Sequence, residues 1–302
     1  MLKIKNLNKT YGTRKVLNNL SLNIDSGEIY GLLGANGAGK TTTINIICNL
    51  LQADSGYITL NNQPISEYTK PLIGIAPQEN LLYKTLSCTE NLNFFANIYG
   101  LDSSQRQEQI IETLQAVNLL DRAKSPVETL SGGMQRRLNI AVALVHKPKL
   151  VILDEPTTGL DIEAKYEIWD LIKNLKNQGL TILLTTHLLD EAERLCNHIG
   201  ILKNGQILAQ GTLQNLRKII PAQEIVIINT KAEKQAILLA KKHGFTHRYY
   251  GSDLAFFLPE SLELKEIIDI FADITIDSIS RQPVRLEHIY LEITQNIPST
   301  IN

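Results

Sequence analysis

Residues 34–41 are Gly34-Ala35-Asn36-Gly37-Ala38-Gly39-Lys40-Thr41, which is the pattern GxxxxGK(S/T). Glu28–Leu33 before this stretch is typical of a strand, and Thr42–Leu51 after it has the apolar spacing of a helix. In such a loop, glycines let backbone N–H groups turn toward anionic oxygens, and the helix N-terminus adds the positive end of its dipole. Lys40 supplies a full charge to the β- and γ-phosphates of a nucleotide, and the Thr41 hydroxyl can ligate Mg²⁺. The stretch therefore predicts an α/β fold that binds a nucleotide.

An acidic pair follows a continuous apolar run, Leu150–Leu153. Such a run is typical of a strand that is buried on both faces of a parallel sheet. At the carboxyl end of that strand, Asp154 would lie near the Mg²⁺ of a nucleotide, and Glu155 could accept a proton from the water that attacks the γ-phosphate. An acidic pair at a strand end can also be a solvated loop or a helix cap, but the phosphate-binding loop upstream favours the catalytic interpretation.

The composition limits the class of protein. The chain has 302 residues, 43% of them hydrophobic, which suffices for one large domain and one small one. Its 30 basic and 31 acidic residues nearly balance, so a basic nucleic-acid footprint is not expected. The three cysteines are widely spaced and predict neither a disulfide framework nor a metal site. No apolar run approaches the ~20 residues of a spanning helix, and the start of the chain lacks an apolar signal core, so we expect a cytoplasmic protein that reaches a membrane only through a partner.

The order of strands and helices indicates two domains. Up to about residue 218, strands alternate with helices as in a parallel sheet with crossover helices, and residues from about 85 to 125 are helical in pattern. A boundary is expected near Pro221, with a second domain over 222–302. The pattern of this domain is β-α-β-β-α-β, the ferredoxin-like order, with elements at 224–229, 231–243, 246–250, 254–258, 260–271 and 274–280. An amphipathic helix over about 284–294 ends it.

A short motif before the acidic strand resembles that of a known family. Leu130-Ser131-Gly132-Gly133-Met134 is similar to the LSGGQ-type signature of ABC (ATP-binding cassette) proteins, and Met134 in place of Gln is usual in their drug-export, ABC-2-type branch. Residues Pro283–Leu291, near the C-terminus, are also similar to the C-terminal segment of such cassettes. The resemblance implies a P-loop NTPase cassette over 1–218, with a parallel core sheet, an antiparallel β subdomain and a helical subdomain over about 84–145. A small α+β ferredoxin-like accessory or regulatory domain would follow it.

This resemblance implies a role for each matching residue. The chain's own nucleotide would be bound by Tyr11, stacked on adenine, and by the phosphate-binding residues, which are Gly34, Asn36, Gly37, Gly39, Lys40, Thr41 and Thr42. Magnesium would be held by Thr41, Gln78 and Asp154. Catalysis would depend on Glu155 as the base, together with Gln78, Lys40 and the switch histidine His187. We interpret the other five histidines as structural.

The signature itself is implied to serve a second subunit. Ser131, Gly132 and Gly133 at a helix start form a second phosphate-binding end, which in this family contacts the nucleotide of the other subunit. Asp161 matches the loop that crosses the dimer interface. One chain would therefore carry two half-sites, and ATP would close a head-to-tail dimer.

The resemblance implies the ATP-hydrolysing motor subunit of an exporter, with ATP and Mg²⁺ as ligands. Its partners would be an integral-membrane permease subunit and a second cassette, in a homodimer or heterodimer on the cytoplasmic face of the cell membrane, with no nucleic acid. The alternative is a soluble ABC ATPase that acts on the ribosome or on DNA. It is disfavoured because the chain has one cassette and no long coiled-coil insertion before Ser131. A cassette without hydrolysis is disfavoured by the presence of Lys40, Asp154, Glu155 and His187, and the cargo stays open.

Overall fold

The computed structural model describes residues 1–295 and divides the chain into two compact units. The first unit is Met1–Thr212, and the second begins at Leu213. The sequence predicted a first domain that extends to residue 218, a few residues further. The difference arises because Leu213–Arg217 form a short helix that packs against the helix Leu286–Gln295 of the second unit. The predicted helical subdomain and the role of the second domain stay predictions.

An antiparallel sheet of four strands forms one layer of the first unit. Its strands are β1 (Leu2–Tyr11), β2 (Arg14–Ile24), β4 (Ser55–Leu60) and β5 (Gln63–Pro64), in the order β2-β1-β4-β5. The hairpin between β1 and β2 closes on the pair Tyr11 and Arg14, which face each other across the two-residue turn. Gly12 in that turn has a φ of 57°, in the left-handed region that glycine adopts without strain. The turn therefore holds the Tyr11 and Arg14 side chains next to each other.

A six-stranded sheet forms the second layer, in the order β10-β9-β3-β8-β7-β6. Five of its strands are parallel, and β10 alone runs antiparallel to its neighbour. The strands are β3 (Ile29–Leu33), β6 (Ile73–Ala76), β7 (Leu150–Asp154), β8 (Thr181–Thr186), β9 (His198–Lys203) and β10 (Gln206–Gly211). All residues of β3, β7 and β8 are buried, as expected for parallel strands covered on both faces.

The loops after β3, β6, β7 and β8 leave the same edge of this sheet, because parallel strands end at one edge. They carry the phosphate-binding loop, Gln78, Glu155 and His187, respectively. The topology therefore explains why four motifs that are far apart in the sequence meet at one site.

Six helices belong to the first unit: α1 (Lys40–Ile47), α2 (Cys88–Ile98), α3 (Ser103–Ala116), α4 (Gly132–Leu144), α5 (Ile162–Asn177) and α6 (Leu189–Leu195). Polar side chains fix where four of them begin. Ser87, Asp102, Ser131 and Asp161 each accept a hydrogen bond from a backbone N–H of the first turn. Within residues 1–295, no helix is both long and apolar enough to cross a membrane.

Alternate residues of β7 pack into two different cores. Val151 and Leu153 face a core built with the helices α2 to α5, whereas Ile152 faces a core shared with the antiparallel sheet. This follows from the two-residue period of a strand. The six-stranded sheet is thus held between two apolar layers, which keep its loop-bearing edge fixed.

The second unit is built around its own antiparallel sheet, in the order β12-β13-β11-β14. Its elements are α7 (Leu213–Arg217), β11 (Glu224–Asn229), α8 (Glu233–Lys242), β12 (Thr246–Tyr250), β13 (Asp253–Leu258), α9 (Leu264–Ile270), β14 (Ser278–Pro283) and α10 (Leu286–Gln295). From β11 to β14 the elements follow the β-α-β-β-α-β order that the sequence predicted. The last strand begins at Ser278 rather than at 274, because the N–H of Ile274 donates to the Phe271 carbonyl in a turn instead of pairing with a strand.

Candidate functional site

The phosphate-binding loop connects β3 to α1 and depends on glycine at two turns. Gly37 and Gly39 have φ values of 79° and 115°, which residues with a Cβ rarely adopt. A Cβ at Gly39 would also lie 2.8 Å from Leu17 Cδ2. Helix α1 begins at Lys40 without a side-chain cap from the described residues. Its first N–H groups are therefore available to an anion, as a phosphate site requires.

Lys40 is buried and lies within this loop. Its Nζ atom donates hydrogen bonds to the carbonyl oxygens of Gly34, at 2.7 Å, and of Ala35, at 3.3 Å. The same atom lies 3.2 Å from Oε1 of Glu155, and both side chains are 6% exposed. The ammonium group is thus held between the phosphate-binding loop and the acidic end of β7.

Glu155 is the centre of the polar contacts at this edge. Its Oε2 atom lies 3.1 Å from Nδ1 of His187 and accepts a hydrogen bond from the Thr158 hydroxyl at 3.2 Å. Burial would raise the pKa of Glu155, but the hydrogen bonds from His187 and Lys40 outweigh it, so its pKa lies below the ordinary value. Glu155 is therefore ionised at neutral pH and can accept a proton.

Asp154 is buried beside Glu155, and its carboxylate accepts a hydrogen bond from the Thr185 hydroxyl of β8. Burial raises the pKa of Asp154 despite that hydrogen bond, and the neighbouring charge of Glu155 raises it further. A carboxylate in this position favours a bound cation, because the cation offsets both the burial and the repulsion.

The ligand chemistry of the residues at this edge fits Mg²⁺. Asp154, the Thr41 hydroxyl and the Gln78 amide offer oxygen atoms, the type of ligand that Mg²⁺ prefers. Within residues 1–295, no cluster of three His, Cys, Asp or Glu side chains could hold a metal ion by itself. A site with few protein ligands fits Mg²⁺, which is usually bound by one or two carboxylates together with phosphate oxygens and water.

A cleft of about 600 Å³ opens over the loop, within the size range of small-molecule sites. The predicted residues that line it are Tyr11, Asn36, Gly37, Gly39, Lys40, Thr41, Thr42, Gln78 and Glu155. The Tyr11 side chain is 48% exposed, so its ring is accessible to a stacked base. Gly34 and His187 do not line the cleft, but they contact Lys40 and Glu155, which do.

Four predicted residues lie away from the cleft and close to each other. Ser131 caps α4 by accepting a hydrogen bond from the Met134 N–H at 3.2 Å, and Asp161 caps α5 by accepting one from the Ala164 N–H at 2.8 Å. A Cβ at Gly133 would lie 2.8 Å from Ala164 Cβ, whereas one at Gly132 would meet no atom of the described part of the chain within 4 Å. The signature and the Asp161 loop therefore form a second surface at the paired starts of α4 and α5.

Two arginines at the site were not predicted. Arg14 lines the cleft, and its Nη2 atom lies 3.7 Å from where a Cβ of Gly37 would be. Its pairing with Tyr11 across a two-residue turn was the signal that could have revealed it. Arg136 is buried and donates hydrogen bonds to backbone carbonyls on both sides of the acidic strand end. Because every residue has a backbone carbonyl, these hydrogen bonds require no particular residue type in the partner, and no sequence motif predicts them.

The geometry first defines a class: a phosphate-binding loop between β3 and α1, with two carboxylates at the end of β7, is the site of a P-loop nucleoside triphosphatase. The family model described as ABC transporter matches residues 17–158. The linearmycin resistance ATP-binding protein of Bacillus subtilis (strain 168) is 37% identical over 305 residues, which cover 97% of this chain and 98% of that protein. The chain therefore belongs to the ABC transporter family of ATP-binding proteins.

Further relatives agree with this assignment. The Nod factor export ATP-binding protein I of Cupriavidus metallidurans is 44% identical over 70% of this chain and 71% of that protein. A solved ATP-binding subunit of an ABC transporter has a TM-score of 0.65 and 34% identity over 72% of this chain and 92% of that one. A dimeric ATP-binding cassette bound to ADP and Pi has a TM-score of 0.63 and 29% identity, over 70% and 99%. These likenesses confirm the predicted cassette fold, and the chain is an ATP-hydrolysing subunit with ATP and Mg²⁺ as ligands.

Proposed function

We propose that this chain is the motor subunit of an exporter, which hydrolyses ATP to drive transport through a separate membrane permease. The names of two relatives support this proposal, since one is a resistance ATP-binding protein and the other an export ATP-binding protein. The observation that carries it is the position of Glu155, whose carboxylate lies between Lys40 and His187 at the edge of the cleft.

We assign nucleotide binding to residues that line the cleft, together with Gly34 and Asp154, which do not line it but adjoin Lys40 and Glu155. Tyr11 stacks on the adenine, and the loop from Gly34 to Thr42 surrounds the phosphates with its N–H groups. Lys40 neutralises the charge of the β- and γ-phosphates. Thr41, Asp154 and Gln78 would hold Mg²⁺, which would neutralise charge on the phosphate oxygens.

We assign hydrolysis to Glu155 and its two neighbours. Glu155 accepts a proton from the water whose oxygen attacks the γ-phosphorus, while the bond from that phosphorus to the bridging oxygen of ADP breaks. The depressed pKa of Glu155 keeps it in the form that can accept this proton. His187 orients the carboxylate through its 3.1 Å contact, and Gln78 orients the water.

The second surface is proposed to complete the site of a partner cassette. Ser131, Gly132, Gly133 and Asp161 do not line the chain's own cleft, and the space over Gly132 is open. A helix start with free N–H groups binds phosphate readily, so this surface fits the nucleotide of a second subunit. ATP then closes the dimer because it contacts both subunits only in the closed state.

We propose that the chain lies on the cytoplasmic face of the membrane through its permease, and that the second unit is an accessory domain. The similarity to the linearmycin resistance protein includes this unit, because it extends over 97% of the chain. The role of the unit in dimer stability or in regulation can be tested by removing it.

The substitution Glu155→Gln tests the assignment of the base. It keeps the size of the side chain but removes the proton-accepting carboxylate, so we expect turnover to fall about 10²- to 10⁴-fold. The dissociation constant for ATP should stay close to that of the wild type. The control is Glu260→Gln on the surface of the second unit, which should change neither quantity. Retained turnover in Glu155→Gln would show that Glu155 is not the base.

A pull-down with the same variant tests the transport function. Tagged Glu155→Gln protein is incubated with detergent-solubilised membranes and ATP, and the chains that co-purify are identified by mass spectrometry. A multi-span membrane protein supports the motor-subunit proposal and identifies the permease. Ribosomal or other soluble partners alone would favour the alternative of a soluble ABC ATPase, with the hydrolysis chemistry unchanged.

A further inference from the structure

Arg136 lies on α4, shortly after the signature, and is only 4% exposed. A guanidinium group has five N–H donors and no acceptor, and burying it without partners is unfavourable. Burial lowers the pKa of Arg136 to about 10, so the group stays charged at neutral pH. Its hydrogen bonds therefore have the strength that a charged donor gives.

Two of these hydrogen bonds lie on either side of Glu155. Nη2 of Arg136 donates to the carbonyl oxygen of Asp154 at 2.7 Å, and Nε donates to that of Pro156 at 2.8 Å. The carbonyl groups of the residues before and after Glu155 are thus bound to one rigid, planar group.

The backbone between these two bonds has an unusual conformation. Glu155 has a φ of 46°, in the left-handed region, which is unfavourable for a residue with a Cβ. Such a conformation persists only where the surroundings enforce it. The N–H of Glu155 donates to the Thr185 carbonyl at 3.0 Å, and Arg136 holds the carbonyl groups on both sides. Together they turn the carboxylate toward Lys40 and His187.

The remaining nitrogen of Arg136 reaches a different loop. Nη1 donates to the carbonyl oxygens of Pro77, at 2.6 Å, and Gln78, at 3.1 Å. The loop of Gln78 follows β6, whereas Glu155 follows β7. One side chain from α4 thus connects the backbones of both loops that face the attacking water.

We propose that Arg136 is a positioning residue for hydrolysis, which sets the direction of the Glu155 carboxylate and fixes its distance from the Gln78 loop. The proposal rests on the proposed function of Glu155 as the base. Among residues 1–295, the hydrogen bonds of Arg136 reach the cleft lining only at the Gln78 backbone, so we expect it to act on the turnover number rather than on nucleotide affinity. Lysine cannot replace it, because a single ammonium cannot reach carbonyl groups on two loops.

The test compares Arg136→Lys with Arg137→Lys in the purified full-length protein. Arg137 is adjacent, but it donates to the Asn118 carbonyl and pairs with Glu167, away from both loops. ATP turnover is measured per nucleotide-binding molecule, and the ATP dissociation constant is measured separately. We expect kcat of Arg136→Lys to fall about 100-fold, the effect of an error of ~1 Å in position, with the dissociation constant within about twofold of wild type. Arg137→Lys should match the wild type in both quantities.

A kcat of Arg136→Lys within twofold of wild type would overturn the proposal, and so would a loss that affects nucleotide affinity equally. If wild-type protein hydrolyses no ATP, the proposed function fails and this inference fails with it. If Arg136→Lys does not fold, Asn139→Ala provides a milder change, because Asn139 Nδ2 donates to the same Pro77 carbonyl at 3.0 Å. We then expect kcat to fall about three- to tenfold at unchanged affinity, and an unchanged kcat would overturn the proposal.

Discussion

Alanine substitutions at the two adjacent glycines of the signature, Gly132 and Gly133, should change the free energy of unfolding in opposite directions. Gly133 lies against the start of α5, where a Cβ would be 2.8 Å from Ala164 Cβ. Gly132 faces open space, and neither residue has a positive φ, so alanine fits the backbone at both positions. The two variants therefore differ mainly in whether the new methyl group meets α5.

The size of the effect follows from that distance. Carbon atoms in contact are about 3.5–4.0 Å apart, so α4 and α5 would have to separate by roughly 1 Å in Gly133→Ala. Overpacking of this kind lowers the free energy of unfolding by about 1–3 kcal/mol, which lowers the melting temperature by about 2–12 °C for a unit of this size. Gly132→Ala should instead gain up to about 1 kcal/mol, because alanine restricts the unfolded chain and favours the helix.

Thermal unfolding and ATP turnover of both variants test this reasoning. We expect Gly133→Ala to melt below the wild type and Gly132→Ala to melt at or above it. Turnover of Gly132→Ala should nevertheless fall, because its new methyl group points into the space assigned to the partner's nucleotide. A melting temperature of Gly133→Ala equal to that of the wild type would refute the packing argument. Wild-type turnover in Gly132→Ala would refute the assignment of that surface.

Further substitutions test two residues of the cleft and the half-buried His146. Arg14→Ala should raise the KM for ATP about two- to fivefold at low salt and less at high salt, without changing kcat. An equal rise of the KM in the neighbouring Lys15→Ala would show that Arg14 has no specific role in ATP binding. Tyr11→Ala should raise the KM about tenfold and Tyr11→Phe little, as measured by steady-state kinetics, and an unchanged KM in Tyr11→Ala would exclude stacking on the base. Burial lowers the pKa of His146, so the unfolded chain binds a proton here more readily than the folded one. The free energy of unfolding should therefore fall as the pH drops from 7 to 5, with a smaller fall in His146→Phe, and equal slopes in denaturant titrations would contradict the argument.

His146 is one of the five histidines that we interpreted from the sequence as structural. In the structure its ring stacks on Tyr99, with the ring centroids 3.7 Å apart. Its Nε2 atom lies 3.1 Å from the Ile73 carbonyl oxygen, while Nδ1 has no hydrogen-bond partner among the described residues. These neighbours come from other elements, so no local pattern could have named them.

The sequence predicted most of the candidate site because its motifs are local. The phosphate-binding loop needs consecutive glycines before a helix, and Asp154 and Glu155 directly follow an apolar strand, so residue types in a fixed spacing suffice to find them. Arg136 escapes such reasoning because it binds backbone carbonyls, which every residue has. Its role depends on how β6, β7 and α4 pack, which only the tertiary structure defines.

The strands β9 and β10 were not predicted, although their turn contained a signal. Asn204 and Gly205 both have positive φ values, of 50° and 75°, as in a tight hairpin, and an Asn-Gly pair between apolar segments is typical of one. The opposite error occurred in the second unit, where Ile274 and Ile276 suggested an early start of β14. Apolar residues near a strand indicate burial more reliably than they indicate where the strand begins.

The strand order has a consequence for how the chain is made. Within residues 1–295 the central strand β3, which leads into the phosphate-binding loop, pairs only with β8 and β9. Ile29 lies beside Ile182, and Tyr30 beside His198. At typical rates of synthesis, these partners leave the ribosome on the order of ten seconds after β3. Throughout that time an apolar strand has no hydrogen-bonded neighbour, which makes the nascent chain prone to aggregation and a natural client for chaperones. Fragments that end before β8 should accordingly be unable to form the nucleotide site, however complete their phosphate-binding loop.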